Sequence, residues 1–126
     1  MQKNALLSDI HGNLPALLQV VADLQRRGVE RIFNLGDHLS GPLWPAETAQ
    51  FLMAQDWVHL RGNHDRQVVS QDPQQHGPSD RYAFQHLNEP ELNWLRSLPG
   101  SLVVDQQLLL FHGAPSSEKD LSPGNG

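Results

Sequence analysis

Three short apolar segments, NALLSDI from Asn4, RIFNLGD from Arg31 and WVHLRGN from Trp57, alternate with two stretches of helical periodicity. No other feature restricts the chain as much. In LPALLQVVADLQRRG, residues Leu14, Leu17, Leu18, Val21 and Leu24 share one helical face, and Gly28 supplies a stop. PAETAQFLMAQ reads as a second helix, opened by Pro45 at a position where a missing N–H costs nothing. The order β-α-β-α-β predicts a parallel sheet with helices packed on it and right-handed crossovers. In such a sheet, ligands collect beyond the carboxyl ends of the strands.

All three strands end in polar clusters: SDIHGN, NLGDH and RGNHD. The first places an acid and an imidazole, Asp9 and His11, two residues apart. In an extended strand such residues point to the same face, so both side chains would project into one space. Taken singly, each strand-end residue also has an ordinary reading. Asp9 and Asp37 suit turns, Asn13 suits a helix cap, Asn63 suits the Gly62-Asn63 turn and His112 suits a strand end. It is the ordered combination that points to a metal.

The remainder is less patterned. From Val68 to Gly77 the chain is glutamine-rich with no aliphatic residue after Val69, which predicts an exposed loop. A short helix is expected over Asp80 to Leu87, and Asn88 with Pro90 opens another, PELNWLRSL. SLVVDQQLLLFHG reads as a hairpin turning near Asp105-Gln106 and ending at His112-Gly113. Residues 1–115 are expected to form one domain, and the polar, turn-forming residues 116–126 a disordered tail.

Composition narrows the chemistry. The chain has no cysteine, so a metal would be held by His, Asp, Glu or Asn. A net charge of -5, with lysine only at Lys3 and Lys119, gives no basic platform, and no stable nucleic-acid partner is expected. No apolar run reaches bilayer length, and the first residues lack the apolar core and cleavage site of a secretion signal. No membrane association and a cytoplasmic location are the resulting expectations.

The series DxH, GDxxxGP, GNHD and HGxP, carried here by Asp9 and His11, Gly36–Pro42, Gly62–Asp65 and His112–Pro115, resembles the calcineurin-like metallophosphoesterases, particularly their small bacterial and archaeal phosphodiesterases. DxH and GD are weak signals alone, whereas GNHD following both at domain-scale spacing is strong. The resemblance implies an α/β fold, a two-sheet β-sandwich flanked by helices. It also implies two divalent ions (manganese, iron, zinc or magnesium), with Asp9, His11 and Asp37 on the first, and Asn63, His112 and the bridging Asp37 on the second. The implied function is hydrolysis of a small phosphoester or phosphodiester by in-line attack of a metal-bridging hydroxide, with His64 as general acid.

The pattern departs from the family in two places. Where the protein-phosphatase motif GDxxDRG has an acid and an arginine, this chain has Ser40 and Gly41, which argues against a phosphoprotein substrate. The family also closes its site with a GHxH segment, and no histidine follows His112 here. The expectation is a C-terminally shortened form in which each ion lacks one imidazole. An unpaired sheet edge is expected too, making a homo-oligomer through that edge a candidate assembly. The incomplete ligand set keeps open a second reading, a non-catalytic or weakly active scaffold or regulatory protein on the same fold.

Asn13 and Trp44 are candidate substrate contacts. Trp44 reads either as a stacking surface for a nucleobase or aryl group, or as a staple at the entry of the Pro45 helix. Asp65 either orients neighbouring groups or caps the helix that follows. His59 packs or faces water, and His38, beside Asp37, is not expected to be functional.

Overall fold

The structure, a computed structural model, describes residues 3–70, 72–104 and 108–111. Strand β1 (Asn4–Leu7) leads to helix α1 (Leu14–Arg26), strand β2 (Arg31–Asn34), helix α2 (Pro45–Met53) and strand β3 (Val58–His59). Three further helices follow: α3 (Asn63–Ser70), α4 (Pro78–His86) and α5 (Glu89–Ser97). Strands β4 (Ser101–Val104) and β5 (Leu108–Phe111) complete the described order.

The first three strands form a parallel sheet in the order β1-β2-β3, with Leu6 opposite Phe33 and Phe33 opposite Val58. β4 and β5 pair antiparallel as a second sheet, with Leu102 opposite Leu110. Phe33, Leu60 and Leu110, joined by Leu35, Val58 and Leu102, form an apolar cluster that ties the two sheets together. A second, larger core contains Leu17, Leu39, Leu52, Val68, Leu92 and Leu95 and packs the helices with Leu7 and Trp57. The expected α/β fold with two sheets is therefore observed.

Local chemistry sets the helix ends. The Asn13 side chain accepts from Ala16 N–H (3.2 Å) at the start of α1, and Gly28 follows its end with φ of 70°. At α5, Asn88 and Glu91 form a reciprocal capping box at 2.9 Å in each direction. On α1, Leu17 is buried while Leu18 is 48% exposed, so the buried stripe is narrower than the periodicity suggested.

Two expectations require correction. The third strand is shorter than WVHLRGN. Leu60 N–H still bonds Asn34 across the sheet, but Arg61 N–H leaves the ladder for Pro99 O (2.7 Å), and α3 begins at Asn63. Val68 is also not in an exposed loop. It is 1% exposed inside α3, where it seats the helix on the core with the partly buried Val69 beside it. Further along, Pro73–Gln75 form a 3-10 turn and His76 is buried, its Nε2 donating to Gln67 O (3.0 Å). The proposed turn at Asp105-Gln106 and the residues 112–126, including His112 and the expected tail, lie outside the described residues.

Candidate metal centre

The loops after β1 and β2 continue side by side past their strands. Leu35 N–H bonds Leu7 O (2.8 Å), Asp9 N–H bonds Gly36 O (3.0 Å), His11 N–H bonds Asp37 O (2.9 Å) and Gly12 N–H bonds His38 O (2.8 Å). This zipper brings SDIHGN against NLGDH. Asp9, His11 and Asp37 each offer one ligand atom, and these atoms all lie within 4.8 Å of one another. His11 Nε2 is 3.6 Å from Asp9 Oδ1 and 3.8 Å from Asp37 Oδ2.

Their convergence has a different origin from the one the strand pattern suggested. Asp9 (φ 60°), His11 (φ 48°) and Asp37 (φ 60°) all occupy the left-handed region, so a tight turn rather than the pleat of a strand aims them together. They are the only non-glycine residues with positive φ among the described residues. Each such conformation costs of order 1–3 kcal/mol and persists only where its surroundings impose it. Strain confined to three residues that share one donor cluster is the pattern expected of a functional site.

Several groups impose that geometry. The Asp65 carboxylate, 1% exposed, accepts from Asp37 N–H (2.8 Å), His38 N–H (2.9 Å) and Gly62 N–H (2.8 Å). It therefore fills both roles considered for it: it closes the start of α3 and fixes the backbone of Asp37. Gly36 and Gly62 permit this approach. A Cβ on Gly62 would stand 2.4 Å from Asp37 Oδ1, and one on Gly36 would stand 2.4 Å from Gly62 N. Asp37, 3% exposed, accepts through Oδ1 from His64 N–H (2.9 Å) at the first turn of α3, where the helix dipole favours a carboxylate.

The donor set suits a divalent cation. His11 Nδ1 lies 2.7 Å from Ser40 O, and a carbonyl only accepts, so Nδ1 carries a proton and Nε2, the nitrogen facing the two carboxylates, is the one available as a metal ligand. An imidazole and two carboxylates form a mixed nitrogen and oxygen set appropriate to manganese, iron, zinc or magnesium.

The other predicted residues are placed as follows. Asn63 is an exposed residue at the start of α3, next in sequence to His64. His64 stands beside that cluster, its ring centroid 5.5 Å from that of His11. Asn13 uses its Oδ1 to cap α1. Trp44, 43% exposed, precedes α2, and its backbone N–H bonds Gly12 O (3.1 Å). His38 is fully buried with Nε2 2.6 Å from Leu60 O, and His59 packs among Trp57, Trp94 and His38.

One residue here was not singled out by the sequence. Asp80, 5% exposed on α4, accepts from Ser40 Oγ (2.6 Å), and its same oxygen lies 3.0 Å from His64 Nδ1. Partial burial pulls the His64 imidazole down, but the Asp80 hydrogen bond and the charges of Asp37, Asp80 and Asp65 outweigh it and leave its pKa raised. Asp80 was masked by an ordinary explanation, since an acid in the first turn after Pro78 is a standard helix start.

Comparison with known proteins adds three findings. The sequence pattern of the family described as calcineurin-like phosphoesterase matches residues 3–125. An uncharacterized protein of Methanocaldococcus jannaschii is 37% identical over 68 residues, which make up 54% of this chain and 28% of that protein. The crystal structure of a metallophosphoesterase from Sphaerobacter thermophilus superposes with a TM-score of 0.67 at 28% identity, covering 82% of this chain and 44% of the other. The chain thus spans less than half the length of either relative. No described helix is long and apolar enough to cross a membrane.

Proposed function

The chain belongs to the calcineurin-like phosphoesterase family, and we propose that it is a divalent-metal-dependent phosphoesterase acting on small phosphodiesters. The observation that supports this most is the convergence of Asp9, His11 and Asp37 within 4.8 Å on left-handed backbone. In this reading Asp9, His11 and Asp37 would hold one ion, and Asp37 with Asn63 and His112 would hold a second. Bound divalent ions supply neutralisation of phosphate oxygens and a lowered pKa for water, so that hydroxide is available near neutral pH.

The chain's own groups do the rest. Asp37, anchored by Asp65 and by His64 N–H, keeps Oδ2 turned toward His11 and Asp9. His64, as imidazolium, gives its Nε2 proton to the leaving oxygen as the P–O bond breaks, and regains a proton from water afterwards. The substitution of Ser40 and Gly41 for an acid and an arginine fits a small ester better than a phosphoprotein.

The test is hydrolysis of bis-(p-nitrophenyl) phosphate and p-nitrophenyl phosphate with added manganese, with chelator as control. Chelator-sensitive turnover, faster on the diester, is expected. A chain that binds manganese yet hydrolyses neither ester would instead support the scaffold reading.

A further inference from the structure

The hydrogen bonds around Ser40 reach beyond the metal cluster. Its carbonyl takes the Nδ1 proton of His11 (2.7 Å), and its hydroxyl donates to Asp80 Oδ1 (2.6 Å), which lies 3.0 Å from His64 Nδ1. One loop residue after β2 therefore anchors the imidazole that follows β1 directly and the imidazole at the start of α3 through a carboxylate. The two rings stand edge to face at 5.5 Å.

We propose that Asp80, held by Ser40, is the positioning residue of His64, fixing its ring and keeping a proton on Nδ1 so that Nε2 is the nitrogen turned toward the reacting ester. The consequence for catalysis rests on the phosphoesterase reading; the orientation of the ring does not.

Three features carry the assignment. First, the pair is directional. An ionised carboxylate accepts only, so a proton on the facing nitrogen is required, and that selects one tautomer of the neutral ring. Second, the carboxylate is itself constrained, because it is 5% exposed, sits on a helix and receives the Ser40 hydroxyl on the same oxygen. A free surface acid beside a histidine would swing away, whereas this one has one position. Third, His64 is half-exposed, with 39% of its side chain accessible, so its neighbours alone do not lock its ring. Asp80 supplies the missing constraint. α4 packs against α3, which brings a residue sixteen positions away in the chain to the imidazole.

The role is tested by nitrogen-15 NMR of the imidazoles and by kinetics of the manganese-loaded protein. At a pH where His64 is neutral, its proton should reside on Nδ1 in the parent, whether or not metal is present. Asp80→Ala should move it to Nε2, while Asp80→Asn, which retains an acceptor oxygen, should largely preserve it. In turnover of bis-(p-nitrophenyl) phosphate, Asp80→Ala should lower kcat by roughly 10–100-fold with KM little changed, and Asp80→Asn should recover part of that loss. In a His64→Ala background the same Asp80→Ala change should have little further effect, since the two act as one unit.

A parent protein whose neutral His64 carries its proton on Nε2 would overturn the proposal, and this measurement needs no variant to fold. An undiminished effect of Asp80→Ala in the His64→Ala background would overturn it as well. If the loaded parent hydrolyses no ester, the phosphoesterase reading fails, and the NMR result still decides the positioning role.

Discussion

Replacing Asp65 with alanine is the most informative single perturbation of the scaffold that holds the site. Its carboxylate is the acceptor for three interior N–H groups, those of Asp37, His38 and Gly62, at 2.8 to 2.9 Å. A buried donor left without an acceptor costs about 1–3 kcal/mol. Three such losses would approach the top of the range for single substitutions, but removing a buried negative charge also removes its desolvation penalty. We therefore expect Asp65→Ala to destabilise the metal-free protein by about 3 kcal/mol. At about 4 °C per kcal/mol for a domain of this size, Tm should fall by roughly 12 °C. Asp65→Asn should cost about half as much. One oxygen can still serve Asp37 and Gly62, but its NH2 group would face the His38 N–H. Thermal unfolding followed by circular dichroism, with chelator present, measures both. Because Asp37 N–H is among the three groups, manganese affinity should also fall by roughly 10–100-fold. A Tm change below about 3 °C for Asp65→Ala would refute the reasoning, since it would mean that the three N–H groups find other acceptors without cost.

Further outcomes follow from the same geometry. Asp37→Ala should harm manganese binding more than Asp9→Ala in calorimetric titration, because Asp37 is the buried member of the cluster and the proposed bridge between ions. Gly62→Ala places a Cβ 2.4 Å from Asp37 Oδ1, so it should displace that carboxylate and abolish measurable manganese binding, and lower stability by about 1–3 kcal/mol in a chelator-treated melt. Burial, and then the nearby His38, lower the His59 pKa from 6.5 to about 4. The unfolded chain therefore takes up this proton first, and the stability that His59 gives is intact above pH 6.5 and lost as pH falls toward 4. Chelator-treated His59→Phe should show a shallower loss of Tm with acid across that window than the parent; an identical slope would show that His59 is not the group responsible.

Much of the fold was legible because its strongest signals are local. The alternation of apolar and helical segments predicted the parallel sheet, and Asn88 with Pro90 marked the start of α5. The segment from Val68 was misread as loop because only Val68 and Val69 seat the end of α3 before a glutamine-rich stretch, and a composition average hides two residues. At the site, the pattern placed Asp9, His11 and Asp37 at neighbouring strand ends, but their left-handed backbone was not readable. Asp and His tolerate that conformation better than most residues do without announcing it as glycine would. Asp80 was invisible for another reason. Its link to His64 depends on how α3 and α4 pack, and a helix-start acid carries no mark of a partner sixteen residues away.

The central claim is that Asp9, His11 and Asp37 form a divalent-metal site. Anomalous scattering from crystals of the protein grown with manganese tests it most directly. The account predicts a peak in contact with His11 Nε2 and with a carboxylate oxygen of both Asp9 and Asp37, and its disappearance in crystals of Asp37→Ala. A manganese-loaded protein whose peaks all lie away from these three side chains would contradict it.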